Sequence, residues 1–347
     1  MNRDKLLGLQ VLRGLAAWIV VFHHVNQTFF NWEPPLKILY VFNHGGFGVD
    51  IFFVLSGFIM FYSVKNNSRG GVSFFLDRFF RIFPVYWCMT LLLLISGFLF
   101  SASSYDTYFT KESLAKSLLL ITSKNPNGGF YPYLYVGWTL IYEMFFYIVL
   151  SISLLIYKSR ALIITTVFLF FFPLILKSND LLGNSNYLLY EFLIGISIAF
   201  VFSHLEKSRY SKALLKSIYA VPIFLICFGC MYFMKSSLFL RSFNAALLVV
   251  AFLLLEIYFK KYKSVFWVQL GDISYSTYLI HPIIYGWFIL LFRSVNSLIF
   301  KCLIIFMALY LVFLLSKFSY KYIEINRRVL DTKKHFKTSL LNLCSNN

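Results

Sequence analysis

Charge is scarce in this chain. Only 13% of its 347 residues are Asp, Glu, Lys or Arg, and acids are the rarer sign, 14 against 32 bases. So few charges cannot coat a water-soluble domain, and 59% hydrophobic residues with 21% aromatics at a mean hydropathy of +0.73 place the chain among polytopic membrane proteins. Cysteine is sparse too: Cys88, Cys227, Cys230, Cys302 and Cys344. Cys227 and Cys230 have redox-motif spacing but lie in an apolar run, where buried packing is the better reading. The six histidines are scattered, and the adjacent pair His23 and His24 would project about 100° apart on a helix, so no metal site is expected. No internal repeat is visible, which argues against a transporter built on inverted repeats. The first apolar run lacks a small-residue cleavage site and reads as a retained helix rather than a signal peptide.

What is present is a series of apolar runs near 20 residues, the length needed to cross a bilayer. Ten are expected, at 8–28, 46–64, 83–101, 135–157, 161–177, 187–204, 217–234, 242–259, 273–292 and 298–317. The fold class is therefore an all-α bundle of about ten transmembrane helices. With a cytoplasmic N-terminus, the inner segments and the helix ends beside them hold 23 of the 32 Lys and Arg. That bias puts both termini on the cytoplasmic side and explains the net charge of +18 by topology and contact with membrane lipids, without nucleic acid. The longest outer loop, 102–134, carries a short helical stretch from Lys111 to Ile121 and an Asn125-Pro-Asn-Gly-Gly129 turn signal, and serves as a rim over an outer cavity or as a plain connector. Residues 331–347 form a basic tail.

The polar residues inside these runs are the informative ones, because an ionisable group in lipid is costly and marks function by default. Arg13 and His24 are 11 residues apart, three helical turns plus about 20°, so they share a face roughly 16 Å apart along the axis. Asp50 enters the second run just inside its outer end, where it can meet His24 across a hairpin and orient the imidazole, or merely cap its own helix. Gly45, Gly46, Gly48 and Gly57 would permit close helix approach there. Arg78 and Arg81, three apart in the following inner segment, suit a phosphate by bidentate binding, although arginines beside a membrane also anchor topology. Glu143 lies among aromatics in the fourth run and needs a partner, for which Arg13 is a candidate. His281, next to Pro282, marks a helix break lining a cavity or a structural histidine. Glu191, near the outer end of the sixth run, ranks below these.

These elements resemble, in order, the acyltransferase 3 family of bacterial integral-membrane O-acyltransferases. The matching features are Arg-x10-His as Arg13 and His24, the block Gly-Val-Asp-x-Phe-Phe-x-x-Ser-Gly-Phe at 48–58, and Arg78, Arg81 and Pro84. Trp138 to Glu143 and Ser-Tyr-x-x-Tyr-Leu-x-His-Pro at 274–282 complete the set. The Trp-Thr-x-x-Tyr-Glu-Met-Phe-Phe-Tyr form of the fourth block looks like the branch acting on exopolysaccharides and O-antigens. The resemblance covers residues 1–330 as one transmembrane domain and selects His24 over His23. It implies a multi-pass protein of the bacterial inner membrane that takes an acyl group, most simply acetyl, from cytoplasmic acyl-CoA and moves it to a hydroxyl of a surface glycan or its lipid-linked precursor. Arg78 and Arg81 would hold the CoA phosphates; His24 would act as general base with Asp50, Arg13 and Glu143 around it. Trp138, Tyr142, Ser274, Tyr278 and His281 are candidates for the substrate pocket. A C-terminal SGNH-type domain, which completes the reaction in fused relatives, is not among the segments recognised, so a separate periplasmic acyltransferase partner is an open expectation. A transporter or flippase for a lipid-linked oligosaccharide is the alternative reading.

Overall fold

The computed structural model describes residues 6–65, 70–100, 110–123, 129–176, 182, 185–205, 217–233, 237–262, 264–292, 295, 297–325, 334, 338 and 339. Among them every regular element is helical. The α-helices are α1 (Leu7–Phe30), α2 (Gly48–Lys65), α3 (Gly71–Phe100), α4 (Lys111–Leu118), α5 (Trp138–Ile156), α6 (Ala161–Ile175) and α7 (Leu189–Leu205). They continue with α8 (Ala220–Phe233), α9 (Leu238–Leu254), α10 (Glu256–Tyr262), α11 (Val265–Asp272), α12 (Ser274–Leu291) and α13 (Leu298–Ser319). Tighter helical turns lead into α2, α5 and α7, and a wider turn, Tyr320–Glu324, prolongs α13.

Seven of these helical stretches are long and apolar enough to span a bilayer, and an eighth counts if α9 and α10, bent by 50° at Leu255, act as one span. The expected runs at 217–234 and 273–292 form helices outside that set. Helix α8 has 14 residues, about 21 Å against a hydrocarbon layer of about 30 Å. Helix α12 carries Ser274, Ser276, Thr277 and His281 fully buried, so its polar residues face protein rather than lipid. It also runs unbroken through Pro282, with the interruption about two and a half turns earlier at Ile273 between α11 and α12. The helix break expected at His281 is thereby corrected.

A second correction concerns 65–82, expected to be largely a loop. Helix α3 begins at Gly71 and continues through Pro84, so Arg78 stands on a helix about 10 Å from its start. The Asn125–Gly129 turn and the basic tail, with the boundary at 330, fall almost wholly outside the described residues. Cys227 is buried with its Sγ 4.0 Å from the Asn244 carbonyl, while the Cys230 side chain and Cys344 lie outside the described residues.

The chain divides into two compact units, residues Met1–Asn66 with Tyr190–Tyr278, and Asn67–Leu189 with Leu279–Asn347. In the first, α1 is the central element. Its first turn is capped from far away in sequence: Glu256, at the bend after α9, accepts from the backbone N–H of Leu7 (2.9 Å) and Gly8 (2.7 Å). Two otherwise orphaned donors are thereby satisfied by a carboxylate at the positive end of the helix dipole. Gln10 donates to Asp272 at 2.8 Å, and at Gly14 the α1 backbone meets α11 so closely that a methyl group would stand 2.7 Å from the Gly271 nitrogen. Only glycine on both sides allows that crossing. At the entrance to α2, a methyl on Gly48 would sit 2.6 Å from the Ala16 carbonyl oxygen, and Gly45 is similarly close to α1. Gly57 instead packs on Phe192 of α7.

The second unit is built on the antiparallel pair α3 and α5. Gly71 lies against Ser151, whose hydroxyl donates to the Gly71 carbonyl (2.8 Å); Phe74 lies against Tyr147, and Tyr86 against Gly137. This register sets Arg78 between Glu143 and Tyr147. The loop helix α4 is fixed rather than loose: Tyr86 donates to the Ser117 carbonyl, Trp87 to the Leu118 carbonyl, and the Tyr133 N–H to the Ser117 hydroxyl at 2.7 Å.

Candidate active site

In the first unit, His24 sits on the C-terminal half of α1, on one unbroken helix with Arg13, so the shared face inferred from spacing is real. Both side chains are half-buried. The His24 Nδ1 lies 3.0 Å from the Val20 carbonyl oxygen. A carbonyl only accepts, so Nδ1 carries a proton and the neutral ring keeps its lone pair on Nε2. His23 is held the same way by the Phe42 carbonyl at 3.0 Å, with its ring 4.9 Å from Trp32 and 5.1 Å from His24. Arg13 adjoins the tight crossing at Gly14.

Asp50 does not take the place expected for it beside His24. Its carboxylate is gripped by Arg241, from Nε at 2.8 Å and from Nη2 at 2.7 and 3.0 Å to its two oxygens. Glu191 lies beside Asp50 and accepts from the Ser242 hydroxyl at 2.7 Å, while its other oxygen is buried without a hydrogen-bond partner. Asp50 and Glu191 are wholly buried, whereas the Arg241 side chain is 32% exposed. A buried carboxylate takes the strongest cation in reach, and a bidentate guanidinium outbids a neutral imidazole. The orienting bond on His24 comes from its own helix instead. Arg241 escaped the sequence reading because it stands one residue before the expected run at 242–259. The clue in the sequence is that two acids, Asp50 and Glu191, stand in apolar runs without a counter-ion of their own. Ser274 of the same unit turns back to the Gly271 carbonyl (2.8 Å), and the buried Tyr278 ring meets Phe52 edge-on.

In the second unit, Arg78 is the anomaly. Its guanidinium lies over the Phe74 ring (5.5 Å) and the Tyr147 ring (5.8 Å), and its Nε is buried without a hydrogen-bond partner. Among the described residues it forms no ion pair. Glu143 lies within electrostatic reach, but its carboxylate is engaged by the Tyr147 hydroxyl, one turn along α5. Arg81 is exposed. Trp138 stands edge-on to Tyr142, which is fully buried with its hydroxyl 3.4 Å from the Ser185 carbonyl; His281 is fully buried beside Tyr285. The sequence-expected residues thus fall into two groups, His24, Arg13, Asp50, Ser274 and Tyr278 in one unit, Arg78, Arg81, Trp138, Tyr142, Glu143 and His281 in the other. Among the described residues no cluster of three His, Cys, Asp or Glu forms a metal site.

A half-buried imidazole with a defined tautomer and a guanidinium stacked on aromatics with its buried Nε unsatisfied suit transfer chemistry on an anionic donor. Comparison with known proteins bears on that chemistry. The sequence model for an acyltransferase domain matches residues 6–317. The exopolysaccharide production protein ExoZ of Rhizobium meliloti (strain 1021) is 40% identical over 114 residues, 33% of this chain and 35% of that protein. Nodulation protein 10 of Rhizobium leguminosarum bv. viciae is 33% identical over 177 residues, 44% and 45% of the two chains. The peptidoglycan O-acetyltransferase OatA of Listeria monocytogenes is 31% identical over 119 residues, 33% of this chain and 16% of that protein. The match therefore spans less than half the length of each of these three relatives. No solved structure matches the chain. With nearly its whole length matched by the family's model, the chain belongs to the acyltransferase 3 family.

Proposed function

We propose that this protein is a membrane O-acyltransferase that moves an acyl group, acetyl being the simplest, from cytoplasmic acyl-CoA to a sugar hydroxyl of a surface polysaccharide or its lipid-linked precursor. On this reading it sits in the bacterial inner membrane with about ten crossings and both termini in the cytoplasm. The observation that carries the reading is Arg78, a guanidinium enclosed by two aromatic rings with its buried Nε unsatisfied. A buried donor without an acceptor is costly, and an anionic group of the donor substrate offsets that cost when it binds. The relatives named for exopolysaccharide production and for peptidoglycan O-acetylation support a glycan acceptor.

His24 supplies the base. With Nδ1 turned to Val20, Nε2 takes the proton of the sugar hydroxyl as its oxygen attacks the thioester carbonyl. The C–S bond then breaks, the sugar leaves as its ester, and the proton passes from the imidazole to the departing CoA sulfur. Arg13, on the same face of α1, is the candidate donor to the developing oxyanion. Asp50 contributes through its ion pair with Arg241, which fixes the start of α2 against α9. The competing route is an acyl-histidine relay. Incubation with labelled acyl-CoA and no acceptor decides between them: retained label on His24 establishes the relay, and an unlabelled protein that still acylates added glycan establishes direct transfer. Loss of glycan O-acylation in a His24→Ala strain, with the protein still in the membrane, is the expected result for either route; full acylation would refute the assignment.

A further inference from the structure

Of the three non-glycine residues with positive φ among the described ones, two are consecutive at the end of α1, Asn31 (φ 47°) and Trp32 (φ 69°). Asparagine tolerates that backbone, but a bulky ring there is an outlier that persists only where its surroundings hold it. Two other asparagines do so. The Trp32 N–H donates to the Asn26 carbonyl at 2.9 Å, and the Trp32 carbonyl accepts from the Asn43 side chain at 2.8 Å. Asn26, 2% exposed, ties the clamp together by donating to the Asn43 side-chain oxygen at 2.7 Å and to the Leu39 carbonyl at 2.8 Å. Both backbone groups of Trp32 are thereby fixed by a network that reaches from α1 to the turns before α2.

Packing does not explain why tryptophan stands there. Trp32 is half-buried rather than sealed in the core, and a glycine would take the same backbone without strain. What the ring gains is its place. It lies 4.9 Å from the His23 ring, which in turn lies 5.1 Å from that of His24. The indole thus stands one imidazole away from the proposed base, with a broad apolar face and an N–H at its edge. The C–H face of a sugar ring packs on such a surface while its hydroxyls stay free to bond. Resting on the acyl-transfer reading above, we propose that Trp32 is the platform of the acceptor subsite. It carries one pyranose ring of the glycan and so presents a hydroxyl of that sugar, or of the one linked to it, to His24. The clamp of Asn26 and Asn43 sets the angle of the platform. The ligand is a hydroxyl-bearing sugar ring, the chemistry that a finished polysaccharide and its lipid-linked precursor share.

The test is transfer of labelled acetyl from acetyl-CoA, by detergent-solubilised full-length protein, to two acceptors taken from a strain lacking the gene: its isolated surface polysaccharide and its extracted lipid-linked glycan. The acceptor that the wild type labels identifies the source of the sugar. For that acceptor, Trp32→Gly should raise KM about tenfold or more, the scale of a lost aromatic contact. Coenzyme A affinity should stay within about threefold of wild type, because the donor is held elsewhere. With the backbone strain relieved, the melting midpoint should stay within about 2 °C of wild type. Trp32→Tyr restores an aromatic face and should return KM to within about threefold of wild type. Wild-type KM in Trp32→Gly, no recovery in Trp32→Tyr, or coenzyme A affinity weakened as much as KM overturns the subsite while the acyl-transfer reading stands. A midpoint lowered further in Trp32→Gly makes the ring a packing element and overturns it equally. Label on neither acceptor from the wild-type protein would overturn the acyl-transfer reading and this subsite with it.

Discussion

Replacing Arg241 by Met tests the buried charge cluster most sharply. Asp50 is fully buried and receives three contacts of 2.7–3.0 Å from one guanidinium; Glu191, equally buried, leans on the same group. Removing the cation leaves two acids in a dry site with only the Ser242 hydroxyl to share. Breaking a buried pair by deleting one partner costs about 3–5 kcal/mol, and the one-third exposure of Arg241 argues for the lower end. About 3 kcal/mol lowers an apparent melting midpoint by on the order of 5–10 °C. The assay is thermal unfolding of purified protein in detergent, followed by tryptophan fluorescence and by retention on size exclusion. Asp50→Asn added to Arg241→Met should recover a substantial part of the loss, because the uncompensated charge is gone. If Arg241→Met melts with the wild type, or if the two changes simply add, the cluster is not the coupled unit described above.

Three further outcomes follow from the same geometry. Glu256→Ala strips the cap from Leu7 and Gly8 and should cost about 1–2 kcal/mol, read as faster amide exchange confined to the first turn of α1. Gly14→Val must push α1 off the Gly271 backbone and should abolish folded expression, whereas Gly46→Ala, with its nearest neighbours at 3.5 and 3.7 Å, should express normally. Arg78→Met keeps the stacking volume and removes the unsatisfied donor; KM for acetyl-CoA should rise about 10- to 100-fold, as expected for loss of a hydrogen bond to a charged group, while the melting midpoint stays within about 2 °C of wild type.

How much of this was legible in the sequence depended on distance along the chain. The face shared by Arg13 and His24 needed only helical periodicity, and α1 forms without a break. The close approach at Gly45 and Gly48 was likewise local, a hairpin between neighbouring helices. What composition hid was partner choice across long separations. Arg241 is 191 residues from Asp50, and Glu256 is 249 from the Leu7 amide it caps. Over 71–82 charged residues break the apolar run and hide the start of α3, where Arg78 stands on the helix against the Phe74 and Tyr147 rings. The polar residues of α12 lowered its hydropathy for the opposite reason, burial within protein, so it reads as a weaker span than α13.

The central claim is that His24 performs acyl transfer from a donor held through Arg78. Its most direct measurement is transfer of labelled acetyl from acetyl-CoA to the surface glycan in membranes carrying wild-type or His24→Ala protein, with coenzyme A binding measured on the same preparations. The account predicts label on glycan hydroxyls only with the wild type and equal coenzyme A affinity in both. Acetylated glycan at the wild-type rate from the His24→Ala membranes would contradict it.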